Sequence, residues 1–192
     1  AQKKEAVIYA FFSIANKTPN FKEWVMQSEI YQSAPPANQH RILDDETQRL
    51  ESAFAAFNPR ASVIDIELPV RITAITDNNG QQTLRVTLED QKLQQQEFIS
   101  YPYGQYWIAL VLTDIKKLLN IPITDSDNQK LISDNLFNNV TYPATLKIAA
   151  KAIAADHSSP IPMDGKNHWL LMGKTDTAEI LFHHDSTIED IV

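Results

Sequence analysis

The sequence predicts an α+β domain in which N-terminal helices pack on a mainly antiparallel β-sheet, with a short helical insertion before the C-terminal strands. Three observations predict it. Apolar residues recur at three- and four-residue spacing through the first sixty positions, the period of a helix that buries one stripe. From Ile64 onward the spacing changes to two, the period of a strand with one buried face. The later strand-like runs follow one another through short turns rather than regular helical crossovers, which selects antiparallel pairing.

The 192 residues are expected to form one domain, organised as 1–60 mainly helical, 61–112 a β-hairpin and strands, 113–140 a helical insertion, and 144–184 strands. In the first part, Val7, Ile8, Phe11, Phe12 and Ala15 form one helical stripe, which ends at Asn16–Asn20. A second helix starts with Asn20 as N-cap and Glu23 at the capping-box position, carrying Phe21, Trp24, Val25, Ser28 and Ile30 or Tyr31 inward. The third, from Ala37 to Phe57, places Leu43, Leu50, Phe54 and Phe57 on one face.

Ile64, Ile66, Leu68, Val70, Ile72 and Ala74 then alternate with Asp65, Glu67, Pro69, Arg71 and Thr73. After the turn Asp77–Gly80 the alternation resumes at Leu84, Val86 and Leu88, which makes an antiparallel hairpin. Pro69 has no amide hydrogen for a ladder, so its strand is expected to be an edge or to carry a bulge. One or two short strands are expected within Phe98–Leu112, short helices around Ile115–Leu119 and Asp125–Asn138, and strands at Thr145–Ala154, His168–Gly173 and Ala178–His183. Lys174–Thr177 reads as a tight connection and Asp156–His168 as a loop between strands.

Several function classes are excluded or disfavoured by composition. The net charge of −7 repels phosphate backbones, so nucleic acid is not expected as a partner. The absence of cysteine removes disulfides, cysteine nucleophiles, thiolate zinc sites and iron–sulfur clusters. No apolar run approaches the roughly 18 residues of a transmembrane helix. The four glycines, at 80, 104, 165 and 173, do not have the spacing of a phosphate-binding or dinucleotide loop. Asp125-Ser126-Asp127-Asn128 opens like a calcium loop, but Lys130 stands at the obligatory glycine and Leu136 at the bidentate glutamate, so Thr124 or Asp125 reads as a helix N-cap. The start Ala1-Gln2-Lys3-Lys4 reads as a mature exported chain, and a periplasmic or secreted setting is the expectation.

Two constellations carry chemistry. Tyr101, Tyr103, Tyr106 and Trp107 lie around Pro102 and Gly104, and aromatic faces on such a segment are platforms for glycans or protein partners. His168, His183 and Asp185 lie on neighbouring strand segments and have the donor types of a divalent-metal site or of a base with its orienting acid. The primary functional expectation is a noncatalytic binding or interaction module with a protein or glycan partner. The alternative is a small metal-dependent or other hydrolase using the C-terminal histidines. No catalytic residue and no cofactor is assigned.

Overall fold

In the computed structural model, which describes residues 2–90, 93–94, 98–182 and 186–192, the first apolar stripe becomes α1 (Gln2–Ile14). Val7, Ile8, Phe11 and Phe12 are at most 3 % exposed, so the helix is held by burial of this stripe. It is followed by α2 (Phe21–Met26), α3 (Glu29–Gln32) and α4 (Pro36–Ala56). The expected second helix is thus two short ones. Ser28, expected inward, instead caps α3 by accepting the amide of Tyr31, and Ile30 is 51 % exposed. Tyr9, Phe21, Val25 and Leu50 form a core between the helices. Arg49 of α4 is hydrogen-bonded to Glu5 of α1 and Glu46 of its own helix, both at 2.8 Å.

The strands are β1 (Ile64–Thr76), β2 (Gln82–Leu88), β3 (Ile99–Tyr103), β4 (Tyr106–Leu112), β5 (Asn120–Ile123), β6 (Thr141–Met163), β7 (Lys166–Phe182) and β8 (Ser186–Ile188). A 3₁₀ turn (Ile115–Leu118) precedes β5, and α5 (Ser126–Asn135) precedes β6. Hydrogen bonding orders them β3-β4-β7-β6-β1-β2-β5, with β8 on β7, in a mostly antiparallel sheet. The α+β class read from the sequence is therefore the observed one. No helix among the described residues is long and apolar enough to cross a membrane.

The chain divides into two compact units. The first holds residues 1–63, 98–111 and 152–173: the N-terminal helices, β3, most of β4, the second half of β6 and the first half of β7. The second holds 64–97, 112–151 and 174–192, with β1, β2, β5, β8, α5 and the remaining halves of β6 and β7. In the second unit the β1–β2 hairpin forms with Val70 opposite Leu88. Its turn is held by Asp77, whose carboxylate accepts the amides of Asn79 and Gln81, each at 2.9 Å. Ile72, Leu84, Leu146 and Ile180 are fully shielded and form this unit's apolar interior. Asp125 caps α5 by accepting the amide of Asn128 at 3.0 Å.

Three segments differ from expectation. Lys174–Thr177 is not a turn but the middle of β7. Thr175 is buried there because the Asp114 carboxylate accepts both its amide, at 3.1 Å, and its hydroxyl, at 2.9 Å. Asp156–His168 is not a loop either: β6 runs to Met163, and Asp164 and Gly165, with φ of 52° and 72°, make a two-residue hairpin turn into β7. Asn120–Ile123 is a strand, its Ile121 and Ile123 buried opposite β2.

The last two of these segments contain prolines, and register explains how strands hold them. The amide of Glu89 donates to the carbonyl of Pro69 at 3.1 Å, so odd-numbered residues of β1 direct their backbone groups to β2 and even-numbered ones to β6. Pro69 therefore takes the last position of the β1–β2 ladder, while β1 is flanked on both sides from Val70 to Thr73. The register of Leu68 with Leu146 turns even-numbered β6 residues to the β1 side, and Ala150 is the last residue that β1 reaches. Pro160 and Pro162 lie beyond it, with their nitrogens toward a margin that has no strand partner among the described residues. The same alternation turns Pro122 of β5 away from β2 and Pro102 of β3 away from β4. No ladder bond is lost at these four prolines.

Candidate functional site

Tyr101, Tyr103, Tyr106 and Trp107 lie on the β3–β4 hairpin, whose turn is Gly104–Gln105 with Gly104 at φ 55°. Cross-strand pairing of Tyr103 with Tyr106 and of Tyr101 with Ile108 places the three tyrosines on one face. Trp107 pairs with Pro102 and belongs to the other. The alternation of the strands thus separates a group that the sequence presents as contiguous.

The tyrosine face is packed. Tyr103 is 8 % exposed, with ring centroids 4.9 Å from Phe12 and 5.8 Å from Trp24, and its hydroxyl accepts the Asn20 amide at 2.7 Å. That bond supplies the partner which a Glu23 capping box would otherwise give the N-cap residue. Burial raises the Tyr103 phenol above its ordinary value, against the Asn20 amide, which lowers it. Tyr106 packs on Trp169 at 5.6 Å, and Trp169 stacks on His157 at 4.4 Å with the planes 4° apart. Burial pushes the Tyr101 phenol up to about 12.

Burial of Tyr101 makes the stability of the fold depend on alkaline pH. A phenol that ionises near 10 in the unfolded chain and near 12 in the fold stabilises the native state below pH 10 and loses that contribution as pH rises toward 12. Tyr101→Phe is expected to shrink the fall in Tm between pH 9 and pH 11, measured by circular dichroism. An identical fall in both proteins would contradict this assignment.

The opposite face carries Ser100, Pro102 and Trp107 from the hairpin with Lys166 and His168 from β7. The ammonium of Lys166 sits 4.0 Å above the Trp107 ring, a cation–π contact with an exposed lysine and a half-buried indole. His168 is fully buried, in edge contact with Phe98 at 5.4 Å and near Trp107 at 6.4 Å. Its Nδ1 lies 3.0 Å from the Lys166 carbonyl and its Nε2 2.9 Å from the hydroxyl oxygen of exposed Ser100. A carbonyl can only accept, so the neutral ring carries its proton on Nδ1 and Nε2 accepts the Ser100 hydroxyl. This bond spans β4, which separates β3 from β7. Ala109, opposite Ser100 on β4, is the small fully buried residue at that crossing.

Of the metal-site residues, His168 has both nitrogens engaged as described, and His183 and Asp185 lie outside the described residues. Among the described residues no three His, Asp or Glu side chains are grouped so as to hold a metal ion. Sequence reading missed Ser100 and Lys166. Ser100 is 68 positions from His168, and only strand order brings the two together.

The fold and this face define an α+β protein with an aromatic and cationic sheet surface. Comparison with known proteins finds no matching family model, no matching curated protein and no matching solved structure.

Proposed function

We propose that the protein is a binding module that presents the Trp107 face of β3, β4 and β7 to a glycan. The observation that supports this is the grouping on one face of exposed Pro102, half-buried Trp107, exposed Lys166 and exposed Ser100. Once the Lys166 side chain swings off the ring it lies over, the indole offers a flat apolar surface to the C–H face of a sugar ring, and the lysine and the nearby serine hydrogen-bond to hydroxyl or carboxylate oxygens. Recognition through a face also accords with the prolines at the strand margins, which disfavour addition of a partner strand. The tyrosine face, closed by α1 and α2, is assigned to packing.

Titration against a panel of neutral and acidic oligosaccharides, followed by tryptophan fluorescence and calorimetry, tests this reading. Trp107→Ala is expected to weaken binding at least tenfold with Tm little changed. Binding that survives Trp107→Ala, or a panel with no ligand beside a protein partner that binds this face, would replace the glycan reading.

A further inference from the structure

The Ser100–His168 pair has a chemical property that glycan binding does not use. We propose that Ser100 is an acyl-accepting nucleophile with His168 as its general base, acting on activated esters whose flat group lies against Trp107 and Pro102. Three features of the geometry carry this. The hydroxyl donates to Nε2 at 2.9 Å, the reach of a nucleophile and its base. The Nδ1–H bond to the Lys166 carbonyl, at 3.0 Å, fixes the tautomer that leaves Nε2 free to take a proton, the task an aspartate performs in a triad. Finally, the imidazole is fully buried while Ser100 is exposed, so the serine is the route by which a substrate in solvent reaches this base.

In the first step the Ser100 oxygen attacks the ester carbonyl carbon, the hydroxyl proton passes to Nε2, and the carbonyl electron pair moves onto oxygen. Collapse of this adduct breaks the bond to the leaving alcohol or phenol, which takes the proton from Nε2. The products are an ester of Ser100 and the free alcohol. Water repeats the sequence, with His168 again taking and returning the proton, and releases the carboxylic acid.

The experiment uses the full chain and a fluorophosphonate, a probe that phosphonylates activated serines with loss of fluoride. Peptide mapping is expected to show one adduct, at Ser100, forming about a hundredfold more slowly in His168→Gln, the low end for loss of a general base. No adduct at Ser100, or one formed equally fast in His168→Gln, overturns the proposal. Replacement of a buried imidazole can unfold a chain, so a second measurement leaves His168 in place. The chain has no cysteine, so Ser100→Cys introduces a single thiol. Paired with imidazole, that thiol ionises below the ordinary value of about 8.5. Its alkylation by iodoacetamide at pH 6 is expected to be at least tenfold faster than in Ser159→Cys, which places a thiol at another exposed strand position. Equal rates overturn the proposal. Neither measurement requires a glycan, so this inference and the binding reading fail independently.

Discussion

Phe11→Ala is expected to lower Tm by on the order of 10 °C. Phe11 is fully shielded, and its ring lies 5.1 Å from Phe12, 5.7 Å from His157 and 6.5 Å from Trp169. It thereby joins α1 to both long strands within the first unit. Truncation removes the transfer free energy of the ring and leaves a cavity walled by rigid aromatic groups that cannot collapse into it, about 3–5 kcal/mol for a buried phenylalanine. For a chain of this length each kcal/mol corresponds to about 2–4 °C. Differential scanning calorimetry measures the change directly. A fall of less than about 3 °C would show that the ring is not an essential part of this interior.

The double substitution Pro160→Thr with Pro162→Thr is expected to convert the margin of β6 into a site of self-association. Both nitrogens face the side on which β1 no longer accompanies β6. Threonine restores two amide donors there, in a residue with high strand propensity, without disturbing the bonds made to β7. Exposed Ile153 and Ile161 on the same stretch would add apolar contact to a second copy. Sedimentation velocity is expected to show a concentration-dependent rise in sedimentation coefficient relative to the parent chain, with Pro162→Thr alone intermediate. An unchanged coefficient at the highest concentration accessible would mean that another feature guards this edge.

Asp156–His168 reads as a loop in sequence, yet β6 continues through Pro160 and Pro162, and Pro122 lies within β5. A proline has no amide for the ladder of a central strand, but the position of its nitrogen relative to the sheet margin depends on register, which a single segment does not specify. Thr175 is a similar case. A polar residue in the middle of a strand looks like a turn until its partner, Asp114, is known, and that partner is 61 positions away.

The candidate site divides along the same line. Tyr101, Tyr103, Tyr106 and Trp107 are identifiable as a group from their closeness in sequence, yet pairing of β3 with β4 places three of them on the face opposite the fourth. His168 was noticed as a residue type, while its burial and its bond to Ser100 follow from the order β3-β4-β7 and its tautomer from the Lys166 carbonyl two residues away.

By itself the sequence determined the α+β class, the stripe of α1, the N-cap at Asn20, a cap at Thr124 or Asp125 and the β1–β2 hairpin. Each of these depends on periodicity or on residues within one turn of one another. Tertiary structure alone decided the continuity of β6 and β7, the tolerance of the strand prolines, and the meeting of Ser100 with His168. Those features depend on which strands become neighbours and in what register, and that outcome is set by packing the whole interior rather than by any local preference.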